Sequence, residues 1–117
     1  MTEYIFYHNP RCSKSRQALA LIEEQSITPT IIHYLETPPD HKTLKEILSK
    51  LGISARQLLR TSEDEYKELG LVDDSLTETK LIDAMVKHPK LIERPILVVD
   101  NKAVIGRPPE NVLALIK

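Results

Sequence analysis

The sequence predicts an α/β protein, and three features carry that reading. A strand, a helix and a second strand follow one another within the first 35 residues, a helical stretch fills the middle, and an apolar run, a tight turn and a short strand precede a last helix. The first feature is a βαβ unit, which gives parallel pairing and a right-handed crossover. The last contains a hairpin, so the sheet should hold both strand orientations.

Tyr4-Ile5-Phe6-Tyr7 is β-branched or aromatic and reads as a buried strand. Asn9-Pro10 ends it, since Pro lacks an N–H and restricts its predecessor. From Ser13 to about Gln25, Ala18, Leu21 and Ile22 recur at helical spacing, with Leu19 widening the stripe. Thr28-Pro29 is the next break, and residues Thr30 to Leu35 have the composition of a second strand.

After Thr37-Pro38-Pro39-Asp40, the residues Leu44, Ile47, Leu48 and Leu51 follow the i, i+3, i+4, i+7 pattern until Gly52 closes the helix. Short helical pieces are expected at about Ser54 to Leu59 and Ser62 to Glu68. Ser75-Leu76-Thr77-Glu78 has capping-box spacing, with Ser75 as cap, and opens a helix carrying Leu81, Ile82, Met85 and Val86 that stops at His88-Pro89. No linker flanks this middle region. Residues 40–88 therefore read as a helical insertion into a single domain spanning 1–117.

Ile96-Leu97-Val98-Val99 is the apolar run of an interior strand, with Pro95 allowed only at its start. Asp100-Asn101 makes a hairpin turn, Ala103-Val104-Ile105 is the partner strand, and Pro108-Pro109 begins a last helix with Val112, Leu113 and Ile116 on its apolar side.

At 117 residues the chain can bury a core without staples, and 41% hydrophobic with 28% charged residues is an ordinary globular balance. A net charge of -1 supplies no general attraction to nucleic acid or an anionic membrane, so neither is an expected partner and any anion site must be local. No apolar run reaches the ~18 residues of a membrane span, and the chain enters a strand without a signal-like segment. The expected location is the cytoplasm and the expected state a monomer. A lone cysteine can form neither an internal disulfide nor a Cys-x-x-Cys pair, and His33, His41 and His88 have no metal-ligand spacing with it, so no metal is expected.

That cysteine, Cys12, falls at the strand-to-helix turn. A free cysteine is often only a small buried hydrophobe. At a helix N-terminus, however, unpaired backbone N–H groups and the positive end of the dipole favour the thiolate, the nucleophilic form. His8, Arg11, Lys14 and Arg16 add nearby positive charge. Arg60, Arg94 and Arg107 fall at the ends of elements, whereas most lysines fall on expected helix solvent faces; a guanidinium stays charged and can bind two oxygens of an oxyanion at once.

Six motifs in order carry a family resemblance: His8-Asn9-Pro10-x-Cys12-x-x-Ser15-Arg16, Tyr34-Leu35-Glu36-Thr37-Pro38-Pro39, Leu58-Leu59-Arg60, Glu68-Leu69-Gly70-Leu71, His88-Pro89-x-Leu91-Ile92-x-Arg94-Pro95-Ile96 and Gly106-Arg107-Pro108. Together, over almost the whole chain, they resemble the glutathione- and glutaredoxin-dependent arsenate reductase family. The resemblance implies a thioredoxin-like (glutaredoxin-like) fold, with a mixed four-stranded sheet, a helical insertion between strands 2 and 3 and a cis Arg94-Pro95 peptide. It also implies that Cys12 attacks arsenate, that Arg60, Arg94 and Arg107 bind the oxyanion, and that glutathione as co-substrate and glutaredoxin complete the reduction with no bound cofactor. His8 would be the charged neighbour that lowers the Cys12 pKa, and Ser15 would donate a hydrogen bond to the sulfur. Arg16 would support the loop or screen the thiolate. Two other readings suit the same fold: a thiol-sensing or RNA polymerase-binding module, against which Ser15 counts by occupying the place of a second cysteine, and a general glutathione-dependent thiol oxidoreductase.

Overall fold

A computed structural model gives the architecture; the structure describes residues 2–116. The chain divides into two compact units, one holding the residues up to Thr37 and from Arg94 onward, the other Pro38–Glu93.

The first unit is built on one four-stranded sheet in the order β2-β1-β3-β4, with β1 at Tyr4–His8, β2 at Thr30–His33, β3 at Ile96–Val99 and β4 at Lys102–Ile105. β1 pairs parallel with β2 and antiparallel with β3, and β3 pairs antiparallel with β4. The sheet is mixed, as expected. β2 ends at His33, short of Leu35, because the chain turns there: the N–H groups of Glu36 and Thr37 both donate to the His33 carbonyl, at 3.0 and 2.9 Å.

Helix α1, Ser13–Glu24, turns Ser15, Ala18 and Ile22 inward at helical spacing. Ala18 and Ile22 join Phe6 of β1, Leu97 of β3 and Val112 in one fully buried cluster. The C-terminal segment that supplies Val112 is a 3-10 helix, Pro109–Leu115, rather than an α-helix. Here the apolar pattern correctly identifies the buried face but not the winding.

The second unit contains the four α-helices that lie between β2 and β3 in the chain: α2 at His41–Leu51, α3 at Ala55–Leu58, α4 at Asp64–Glu68 and α5 at Glu78–Lys87. α2 is capped by Asp40, whose carboxylate accepts the Thr43 N–H at 2.7 Å, and it closes at Gly52 with φ 71, a conformation that favours glycine. Its inner residues Leu44, Ile47 and Leu48 and the α5 residues Leu81, Ile82 and Met85 are buried. The cap of α5 is Thr77, which accepts the Lys80 N–H at 3.2 Å. Ser75, expected in that role, bonds Asp73 instead, with its hydroxyl 2.7 Å from the carboxylate. The Asp73 turn claims Ser75, and Thr77, two residues on, takes the cap.

Two features fix the end of the sheet where β1 stops and β3 begins. The peptides Arg94-Pro95 and Arg107-Pro108 are both cis. The Gly106 N–H donates to the Pro95 carbonyl at 2.8 Å, which continues the Ile96↔Ile105 register past the end of the strands. That register brings Arg94 and Arg107 to the same end of the β3–β4 pair. Gly106 is needed there because a Cβ would lie 2.9 Å from the Pro95 ring and 3.1 Å from a Val112 methyl, and the ring cannot swing aside. Gly106→Ala should therefore destabilise the protein by about 1–3 kcal/mol through overpacking, seen as a lower urea midpoint with little change in slope.

Candidate active site

Cys12 is the residue immediately before α1, with extended backbone angles, and its side chain is half-buried. The loop that delivers it is closed by three hydrogen bonds. The Cys12 N–H donates to the Asn9 carbonyl at 3.0 Å, the Arg11 N–H donates to the Asn9 side-chain oxygen at 3.1 Å, and the Arg16 guanidinium reaches back to the Pro10 carbonyl at 2.8 Å. Arg16 thus supports the loop. Asn9 does more than end a strand, because its side chain forms the turn. Asparagine before a short loop is a recognised turn residue, a signal available in the sequence beside the stronger one from Pro10.

Below the loop lies a buried polar group. His8 and Asn9 are 6% and 8% exposed and Ser15 is fully buried, so their polar atoms need partners within the protein. Ser15 Oγ provides them, accepting the Asn9 N–H at 3.0 Å and lying 2.7 Å from His8 Nδ1. His33 is aligned with His8 in the parallel register, and the two ring centroids are 5.9 Å apart. The sequence offered no spacing rule that would connect His33 to His8, because strand register alone brings them together.

Partial burial pushes the Cys12 thiol up, but hydrogen bonds from the Ser15 and Lys14 backbone N–H groups and from the Arg94 guanidinium outweigh it, and the net shift is downward. Ser15 therefore serves the sulfur through its backbone, while its hydroxyl is engaged with His8 and Asn9. The shift at His8 runs in the direction opposite to the one that a charged imidazole needs. Burial, then the nearby His33 and Arg16, lower its pKa from 6.5, with Glu23 opposing, which favours the neutral imidazole. The imidazole positions Ser15 and is not among the groups that lower the Cys12 pKa.

Arg94 is half-buried and hydrogen-bonds the sulfur. Arg107 is exposed, and its peptide is held by Asn111, whose side-chain amide donates to the carbonyls of Ile105 at 3.3 Å and Arg107 at 3.1 Å. Asn111 is a further residue that sequence reasoning missed, since a single exposed Asn in a turn has no distinguishing pattern. Arg60 belongs to the second unit. Its N–H donates to the Leu91 carbonyl at 2.8 Å beside the Leu59↔Ile92 bridge, and its guanidinium lies 3.4 Å from Glu63 and 3.5 Å from Glu93. Among the described residues, no group of three His, Cys, Asp or Glu side chains is placed to hold a metal ion, and no helix is long and apolar enough to cross a membrane.

A thiolate-favouring cysteine at a helix start, with an arginine on its sulfur, also fits the result of comparison with known proteins. The ArsC family model matches residues 7–115. The chain belongs to the ArsC family. It is 50% identical to an arsenate reductase of Neisseria meningitidis over 99% of this chain and 100% of that one. It is 56% identical to an uncharacterized Escherichia coli protein named YfgD, over 99% of each. Among solved structures, an arsenate reductase from Vibrio cholerae superposes with a TM-score of 0.95 at 50% identity, covering 97% of this chain and 98% of that one. ArsC structures share the thioredoxin-like arrangement seen here, with helices inserted between the second and third strands.

Two measurements test these electrostatics. The midpoint of Cys12 alkylation rate against pH should fall below the ordinary thiol value of about 8.5; Arg94→Ala should raise it, and His8→Gln, which keeps a polar partner for Ser15, should change it less because His8 is not among the groups that lower it. Separately, the His8 pKa in the folded protein lies below its unfolded value of 6.5, so the unfolded chain binds more protons between the two values. Stability should therefore fall as pH drops from 6.5 toward the folded-state pKa, and a urea-midpoint series on His8→Gln should lack that part of the slope.

Proposed function

We propose that this protein is an arsenate reductase whose nucleophile is Cys12 and whose electrons come from external thiols. The observation that carries the reading is the Cys12 sulfur, held toward its thiolate by two backbone N–H groups and the Arg94 guanidinium, in a chain half identical to proteins named arsenate reductase.

Arsenate is a tetrahedral oxyanion, so its reduction needs a sulfur that can reach arsenic and donors that neutralise oxygen. In the proposed sequence the Cys12 thiolate attacks arsenic(V), one arsenate oxygen leaves as water, and a sulfur–arsenic bond forms. Arg94 and Arg107 take the oxygens, with Arg94 turning from the sulfur to the substrate as the thiolate charge is consumed. Glutathione then attacks the adduct and a glutaredoxin thiol resolves it. These two thiols supply the two electrons and pair as a mixed disulfide, while arsenic leaves as arsenite and Cys12 returns to the thiol state. One cysteine suffices because the resolving thiols come from other molecules. Neutral His8 and Ser15 hold the Cys12 loop in place throughout. The protein needs no bound cofactor in this scheme, works as a monomer, and draws on the thiol pool of the cytoplasm.

The test is arsenate-dependent NADPH oxidation in the presence of glutathione, glutaredoxin and glutathione reductase. Wild type should turn over, Cys12→Ser should fall to background, and Arg94→Ala should lose about 10²–10³-fold in kcat/KM, the range for one oxyanion donor. Absence of wild-type turnover above background would remove the arsenate reading. Full turnover with thioredoxin and its reductase and no glutathione would remove the assignment of the external thiols while leaving arsenate in place.

A further inference from the structure

A cavity of about 240 Å³ opens beside the Cys12 loop, walled by His8, Pro10 and Arg11 on one side and by His33, Leu35 and Glu36, at and just beyond the end of β2, on the other. Arg11 and Glu36 bring opposite charges to this cavity, yet among the described residues no ion pair joins them. Neither side chain makes a hydrogen bond to another described residue, although both are exposed and long enough to move. Leu35, 36% exposed, and Pro10 give the cavity an apolar wall between the charges. An unpaired acid and base separated by an apolar surface suit a small zwitterion, because each charge can take a charge-assisted hydrogen bond that is unused in the free protein.

We propose that this cavity is the subsite for the α-amino-acid end of glutathione, with Glu36 receiving the ammonium group and Arg11 and His33 the carboxylate. The inference rests on the reading of the reaction above, and adds where the first external thiol is held. Distance favours it. Arg11 is the residue before Cys12, about 3.8 Å away from Cα to Cα, and the cysteinyl thiol of glutathione lies about two extended residues, roughly 7 Å, from its α-amino-acid end. A zwitterion seated between Arg11 and Glu36 would therefore hold the thiol beside the loop that carries Cys12. The arginines that serve the oxyanion are left to their own task.

S-methylglutathione, which can bind but cannot act as a nucleophile, separates binding from chemistry. Titrated into wild type, it should shift the His33 and His8 ring protons in NMR spectra in a saturable way, and Glu36→Gln should weaken that binding about tenfold. In steady-state assays Glu36→Gln should raise KM for glutathione about tenfold, leave KM for arsenate unchanged and recover in part in Glu36→Asp. The subsite is overturned if S-methylglutathione leaves the His33 ring unshifted, or if Glu36→Gln binds and uses glutathione as wild type does. It is also overturned if Glu36→Gln raises KM for arsenate instead. Should wild type fail to turn over arsenate, the reaction assignment falls, and S-methylglutathione binding with its loss in Glu36→Gln still decides the subsite.

Discussion

The Ser15 hydroxyl is fully buried one turn into α1, and it reaches the last residue of β1 and the first residue after it. That contact joins the strand to the helix at the point where the chain must change direction. An unsatisfied buried hydroxyl, amide or imidazole would each cost about 1–3 kcal/mol, so the three groups enforce one another's positions. The geometry of the Cys12 loop follows. With Asn9 fixed, its carbonyl accepts the Cys12 N–H and its side chain accepts the Arg11 N–H, and the cysteine can only enter α1 as the residue before its first turn.

That entry decides the chemistry of the sulfur. Burial alone would make Cys12 a less reactive thiol, and the downward shift exists because donors converge on it from two sources. The Ser15 and Lys14 amides come from the helix start and remain whatever else binds. Arg94 comes from the residue before β3, and a guanidinium can exchange a thiolate for an oxyanion oxygen without losing its charge. Fixed amides can thus keep the sulfur activated while a movable charge follows the developing negative charge. A His8 imidazolium would be a poorer device, since a buried cation below the loop would carry a desolvation cost in both states. His8 is better used neutral, as a partner for Ser15.

Much of this was legible in the sequence. Phe6, Ala18, Ile22, Leu97 and Val112 all belong to apolar runs or stripes in the sequence and form the observed cluster, because burial of one face is what hydrophobic periodicity records. The Asn9-Pro10 break and the position of Cys12 were equally plain, since Pro acts locally. What was not legible depends on register or on competition between neighbours. His33 meets His8 through strand pairing and Glu93 meets Arg60 from 33 positions further along the chain, and neither pairing has a sequence period. Ser75 has the spacing of a cap but a closer partner in Asp73, and the role passes to Thr77. The 3-10 winding of Pro109–Leu115 was hidden for a similar reason, because a stripe of Val112 and its neighbours reads the same way for short helices of either pitch.

Arg60 shows how a partly buried guanidinium can be compensated without being fixed. Its guanidinium is only 14% exposed and lies between two carboxylates, which lowers the cost of holding a charge there. The separations are 3.4 and 3.5 Å, whereas strong charge-assisted N–H···O contacts lie at about 2.7–2.9 Å. Glu63 and Glu93 therefore compensate the charge without making the short, aligned bonds that would fix its donors. A dianionic oxyanion that can accept two short parallel bonds has more to gain from the same guanidinium than either carboxylate does. The Arg60 guanidinium is thus compensated by its two acids and still has donors whose geometry they do not saturate.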